Sequence, residues 1–233
     1  MSVAAPSPSR RPALVKPIFL ENGERMTRAE FHAAYEQTPE DFKAELIEGI
    51  VYVASPLRRN HGVHHVFFST LLGTYWMKTP GTEAGDNCSL LLSDNDEPQP
   101  DLYLRILPEF GGQSGTTPDD YVDGAPELLL ENAISTRSLD LHAKKRMYQR
   151  YGVKEYLVAV PLEEKFYWFD LEQNLDLEPT DGVIKSRQFP GLWLNAAAIW
   201  SQNHDAAMAT LNAGLASPEH GAFVEQLARR RKN

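Results

Sequence analysis

Asp101, Glu131 and Lys144 are the residues whose types and spacing point to chemistry. Asp101 follows Pro100 in EPQPDLYLRI, residues 97–106, and Glu131 lies near the end of the apolar run ELLLENAI, residues 127–134. Lys144 sits one helical turn after Asp140 in STRSLDLHAKKRMYQRYGVKEY. Two carboxylates on neighbouring strands with a lysine close behind can hold a hard divalent ion against a phosphodiester. Such ions take oxygen ligands and keep waters, one of which becomes the nucleophile. A lysine beside them neutralises charge that develops on the phosphate. Glu131 is the more telling acid, because it interrupts a run that reads as buried, where an unpaired carboxylate is costly. The other reading of Lys144 is an i, i+4 salt bridge with Asp140 on an exposed helix face, worth only about 0.3–0.5 kcal/mol.

The elements that must position these groups follow from periodicity. Thr27 and Glu30 form a capping box that starts a short helix to about Glu36. Leu46, Ile50, Tyr52 and Val53 mark two strands that turn at Gly49. From His61 to about Lys78, apolar residues recur at helical spacing until Pro80 and Gly81 stop them. Strands are expected at 82–85, 88–92 and 101–107, then a glycine-rich loop over 108–125. ELLLENAI reads as a central strand covered on both faces. A helix is expected over 138–151, ended by Gly152, with Leu139, Ala143, Met147 and Tyr151 as its core stripe. Asp140, Lys144 and Tyr148 form a second stripe at the edge of the core. EYLVAV and KFYWFDL form two strands joined over Pro161–Glu164, and a strand near 182–188 and FPGLWL complete the domain. Two helices, about 204–213 and 218–231, follow.

The expected fold class is α/β (α+β): a mixed central β-sheet flanked by helices. The expected organisation is a flexible N-terminal arm over 1–24, a main domain over 25–200 and a C-terminal helical extension over 201–233. A hydrophobic share of 42% over 233 residues suits one sizeable core. The single cysteine, Cys88, excludes an internal disulfide and a cysteine metal cluster, and fits a reducing, cytoplasmic setting. The proline-rich N-terminus reads as an arm and not a signal peptide, and no run is apolar enough to span a membrane. A net charge of −9 argues against a general nucleic-acid coat, whose binding is driven by Lys and Arg. It leaves room for a nuclease, whose site must gather carboxylates.

In order and at these spacings, the segments resemble the "putative restriction endonuclease" family, formerly a domain of unknown function, of the PD-(D/E)XK nuclease superfamily. The matching parts are ELIEGIVYVASP (45–56) with His61 soon after, EPQPD (97–101), ELLLENAIST (127–136), Asp140, Lys144, Tyr148 and YGVKEYLV (151–158). The resemblance covers about residues 27–195 and implies a restriction-endonuclease-like fold with a magnesium- or manganese-dependent phosphodiesterase site. Asp101 matches the Asp of the PD signature and Glu131 the acid that follows. The superfamily pattern places a lysine two residues after that acid, where this chain has Ala133. The resemblance offers Lys144, displaced to the next helix, in its place. Glu45 matches the acid of the early segment and is a further metal or water contact; Glu48 competes for that role, and His61 matches a histidine that follows it.

The resulting expectation is a metal-dependent endonuclease acting on DNA. Asp101, Glu131 and Glu45 would serve as metal ligands and Lys144 as the charge-stabilising group. A homodimer is expected from the habit of duplex-cutting nucleases and from the aromatic YWF and FPGLWL segments, which serve equally as core. The competing reading is a degenerate nuclease fold that binds nucleic acid or a protein without cutting; the absent lysine at 133 and the net charge favour it. A third is an interaction domain whose carboxylates only make structural hydrogen bonds.

Overall fold

The computed structural model describes residues 20–39, 41–56 and 58–231. Its first helix, α1 (Arg28–Tyr35), carries the expected capping box at Thr27 and Glu30. A hairpin of β1 (Ala44–Ile47) and β2 (Ile50–Val53) follows, and α2 (Arg59–Lys78) is the longest helix among the described residues. The hairpin turn is Glu48–Gly49, both with positive φ (53° and 73°). That pairing is the two-residue geometry whose twist matches antiparallel strands.

The central sheet has six strands: β3 (Thr82–Asp86), β5 (Leu102–Ile106), β8 (Leu128–Asn132), β9 (Glu155–Val160), β10 (Lys165–Asp170) and β11 (Leu175–Leu177). Their order is β11-β10-β9-β8-β5-β3. Only β8 and β9 pair in parallel; the other neighbours are antiparallel, so the sheet is mixed. The parallel pair needs a crossover, and a helical segment provides it. This segment is α3 (Arg137–Leu139), a π-helical turn (Asp140–Lys144) and α4 (Lys145–Tyr151), ended by Gly152 at φ 85°. The loop expected over 108–125 contains a short 3₁₀ turn at Pro108–Phe110 and two small strands, β6 (Gly115–Thr116) and β7 (Val122–Asp123), which join β4 (Leu90–Leu91). Two-residue strands give no periodicity to read, so the glycines and prolines of that stretch are its visible signal in the sequence. β11, with the sequence LDL, is short and largely exposed, and no sequence pattern marks it as a strand.

Every residue of β8 is buried, as a central strand requires. Leu128 and Leu130 join the core on the α2 side, with Phe68, Leu71 and Tyr75. Leu129 joins the core on the α4 side, with Met147, Tyr148 and Tyr156. Side chains alternate along a strand, so Glu131 continues the Leu129 face toward α4 and Asn132 the opposite face toward α2. The remaining elements are the hairpin β12 (Val183–Lys185) with β13 (Trp193–Asn195), and helices α5 (Ala196–Trp200), α6 (His204–Leu215) and α7 (Pro218–Arg230). Ala207, Leu211, Phe223 and Leu227 of the last two helices lie in the same core cluster as α2 and the sheet. Of the expected N-terminal arm, residues 1–19 lie outside the described residues; Leu20 is buried in a small cluster with Phe31, Leu46 and Val51.

The helix over 137–151 corrects one expectation. Leu139, Ala143 and Tyr151 are only half-buried, whereas Asp140, Lys144 and Tyr148 are buried together with Met147. The polar stripe faces the sheet because its charges are matched there, and the π turn that carries it is a departure from α geometry often found at functional positions.

Glu155 fastens the C-terminal hairpin to the sheet. It accepts hydrogen bonds from Trp168 Nε1 at 2.6 Å, the Ser186 hydroxyl at 2.6 Å and the Gln188 amide at 3.1 Å. All three partners are donors, so a side-chain amide cannot satisfy them. Glu155→Gln is predicted to lower stability by about 1–3 kcal/mol, the cost of one orphaned buried donor, as measured by urea unfolding.

Candidate metal and active site

The strand register brings the two acids together. Leu102 pairs with Leu130 across β5 and β8, so the next pair outward is Asp101 opposite Glu131. The main-chain amide of Asp101 donates to Glu131 Oε2 at 3.3 Å, and the amide of Asn132 donates to Asp101 Oδ2 at 2.7 Å. Each acid is thus positioned by the other's strand. Glu131 is 3% exposed.

Lys144, also 3% exposed, reaches the same place from the π turn. Its Nζ lies 2.8 Å from Glu45 Oε1, 3.0 Å from Glu131 Oε1 and 3.7 Å from Asp140 Oδ1. The Tyr148 hydroxyl donates to the same Glu131 oxygen at 3.0 Å. The Asp140 pair read from the sequence is therefore present, but inside the protein and as one of three. Glu45 is held by the amide of Gln99 at 2.7 Å. Glu48, the competing acid, turns away to Arg150 at 3.3 Å and Arg146 at 3.9 Å. Ala133 is fully buried in the α4-side core, so a lysine there would enter apolar packing.

His61 and His65, one turn apart on α2, both approach Asp101 Oδ1. The distances are 3.4 Å from His61 Nε2 and 3.8 Å from His65 Nδ1. His65 also meets Asp86 at 3.0 Å. Asn132 ties this helix to the strand by donating to the His61 carbonyl at 2.9 Å. His65, Gln99, Asn132 and Asp140 escaped the sequence reading as site members. The i, i+4 spacing of His65 from His61 and the place of Gln99 beside Asp101 were the signals available.

The electrostatics follow from four acids around one ammonium. Burial disfavours the charge on Lys144, but Glu131, Glu45 and Asp140 outweigh it and hold the lysine well above its usual pKa. Burial pushes Glu131 well above the carboxylate range; the nearby Asp140, Asp101 and Glu45 add to this, and Lys144 opposes it. Burial also pushes Asp140 up to about 6, against the pull of Lys144 and the Thr136 hydroxyl. Asp101 ends below its usual value: burial raises it, but His61, the Asn132 amide and Lys144 together outweigh burial. Lys144 therefore keeps its proton, and Glu131, Asp140 and Asp101 titrate together rather than singly.

The acids open on a cavity of about 210 Å³ whose wall includes Lys43, His61, Asn87, Gln99, Asn132 and Thr136. Among the described residues, no three His, Cys, Asp or Glu side chains form a ready-made metal cluster. Magnesium does not require one: it binds through one or two carboxylates and keeps waters and substrate phosphate for the rest. The donor set fits that pattern, with Asp101 and Glu131 supplying hard oxygens in register. The surplus of acids over lysine is a further reason for a cation to be favoured there.

Removing the ammonium alone would leave the buried acids Glu131 and Asp140, and the partly exposed Glu45, without their counter-charge. Lys144→Met is predicted to cost about 3–5 kcal/mol at neutral pH, as for one broken side of a buried ion pair, measured by chemical denaturation. Replacing Lys144 and Glu131 together, by Met and Leu, should recover part of that loss.

Among curated proteins, none matches the chain. Among solved structures, the chain is similar to one described as a "putative nuclease belonging to DUF820" from Anabaena variabilis ATCC 29413. The two are 13% identical, with 76% of this chain and 98% of that one covered and a TM-score of 0.58. At that identity the likeness shows a shared fold, a mixed sheet with flanking helices. A family model described as "Uma2: Putative restriction endonuclease" matches residues 28–197, and the chain belongs to this family of nuclease-like proteins.

Proposed function

We propose that this protein is a divalent-metal-dependent endonuclease that hydrolyses phosphodiester bonds in DNA. The observation that carries the proposal is the registered pair Asp101–Glu131 with the Lys144 ammonium 3.0 Å from Glu131, opening on a cavity. Asp101, Glu131 and the main-chain carbonyl beside Glu131 would hold Mg²⁺ or Mn²⁺. When bound, such an ion supplies Lewis-acid polarisation of the scissile phosphate and a more acidic water. The amide of Asn132 fixes the Asp101 carboxylate, and Tyr148 fixes Glu131. Lys144 stabilises the added negative charge of the transition state, in the role that a lysine at 133 would otherwise have. Glu45 holds Lys144 in place and completes the acidic wall around the attacking water. A groove lined by His142, Arg146 and Ser138 shares Tyr52, Ser135, Thr136 and Leu139 with the site and gives the phosphate backbone a path away from it.

A second reading is a member of the fold that binds without cutting. It draws on Lys144, whose ammonium is already engaged by three acids, and on Ala133.

Mg²⁺ or Mn²⁺ is predicted to raise the melting temperature of the wild type and to leave that of Asp101→Asn unmoved, by mass action on a single site. In a cleavage assay on plasmid, single-stranded DNA and RNA, wild type plus Mg²⁺ should cut and EDTA should stop it. Asp101→Ala and Glu131→Ala should each lose at least about two orders of magnitude in rate, as when electrostatic stabilisation is removed. Cutting by Asp101→Ala at the wild-type rate would sink the mechanism; metal-dependent stabilisation without cutting would select the second reading.

A further inference from the structure

A second pocket abuts the acidic cavity and is not used by the chemistry above. It encloses about 530 Å³, within the roughly 300–1,000 Å³ range of small-molecule sites. Asn87 and Gln99 line both spaces. Gln99 is the partition between them: its main-chain amide holds Glu45, and its side-chain amide donates to Tyr35 Oη at 2.8 Å and Ser89 Oγ at 2.9 Å.

Three tyrosines, Tyr35, Tyr103 and Tyr121, line the second pocket. Tyr103 is buried and hydrogen-bonds Glu83, whereas Tyr35 and Tyr121 are partly exposed. The Tyr121 ring is braced edge-on by His32, with centroids 4.7 Å apart. Arg105 also lines the pocket. Its side chain is 4% exposed and its terminal nitrogens are engaged by Glu83, the Gly115 carbonyl and Thr116. Its Nε–H has no partner among the described residues, an expensive omission for a buried donor. The charge balance selects among occupants. Glu83 offsets Arg105, and Asp120 adds a further negative charge to the wall. A phosphate would be repelled; a neutral, flat group with hydrogen-bonding edges would not. Partly exposed rings offer it a stacking face, and the Gln99 side-chain carbonyl, the Asn87 amide and the Ser89 hydroxyl offer donors and acceptors.

We propose that this pocket receives one unstacked nucleobase of the substrate strand, next to the phosphate held at Asp101 and Glu131. The proposal rests on the endonuclease reading for the identity of the ligand. It adds that the substrate presents a base out of the stack, as single-stranded or locally opened DNA does.

Cys88 makes the test independent of cleavage. It is the only cysteine of the chain and it lines this pocket. Its thiol is pushed up by burial and by Asp86 and Glu83, so it should be labelled at mildly alkaline pH. Its rate of reaction with a small aromatic disulfide is measured with Ca²⁺ present, in four mixtures. These contain no addition, a short single-stranded oligodeoxynucleotide, the same strand made abasic, and inorganic phosphate. The base-bearing strand is expected to slow the reaction, and the abasic strand and phosphate are not. Tyr121→Ala should weaken binding of the base-bearing strand roughly tenfold, as for one lost base–aromatic stack, and leave the abasic strand's affinity unchanged. Tyr121→Leu, which keeps apolar bulk without a ring, should behave like the alanine variant.

Equal protection by the abasic strand would overturn the base pocket. So would no protection by a strand that the wild type cuts with Mg²⁺, and the endonuclease reading would survive. Protection without cutting under any metal would support the pocket and overturn hydrolysis. Neither protection nor cutting would overturn both.

Discussion

The ammonium of Lys144 is withdrawn from water, and a cation in that position is tolerable only when matching charges surround it. Glu45, Glu131 and Asp140 provide them within 2.8–3.7 Å. These acids come from β1, β8 and the π turn, so one nitrogen joins the hairpin, the central sheet and the crossover helix. The match is not neutral, however. Three acids, with Asp101 close by, exceed what one lysine can offset, and the protein keeps this excess at one place. A structure selected only for stability would gain by replacing such a group with apolar packing of similar volume. Its retention at the wall of a cavity supports the role proposed for it.

The sheet serves that centre in a specific way. A mixed order puts the parallel pair β8–β9 beside the antiparallel pair β5–β8, so the crossover helix covers the face that carries Glu131 while α2 covers the other. Tyr148 and Lys144 approach Glu131 from the first layer; His61 and His65 approach Asp101 from the second. The acids lie where the two layers part, at the end of the paired strands. Asn132 links the layers, with its main-chain amide on Asp101 and its side-chain amide on the His61 carbonyl.

Much of this was legible in the sequence because the informative elements are long or strongly patterned. The α2 helix, the continuous run of β8 and the Thr27 capping box declare themselves, Glu131 stands out as the interruption of an apolar run, and Asp101 as the residue after Pro100 at a strand start. Three features could not be read that way. The two-residue strands β6 and β7 are too short for any period. The inward turn of Asp140, Lys144 and Tyr148 depends on partners brought from β1 and β8, and helical spacing alone assigned that position to Leu139 and Ala143. The separation of Glu45 from Glu48 is decided by which side of a four-residue strand and its turn each occupies, a difference that only pairing with the rest of the chain can define.

The pairing of β5 with β8 has one more consequence. A slip of either strand by a single residue would send its side chains to the opposite face. Asp101 and Glu131 would then part; a slip of β8 would send Glu131 into the layer under α2 and leave Lys144 facing Leu130 or Asn132, according to its direction. Such a sheet could keep nearly all its main-chain hydrogen bonds and much of its apolar contact, so those forces discriminate poorly between the two alignments. The acids discriminate strongly, because only one alignment compensates their charge. The same residues that are proposed to carry the chemistry thus work as a parity check on assembly, disfavouring a misaligned chain as a stable competitor.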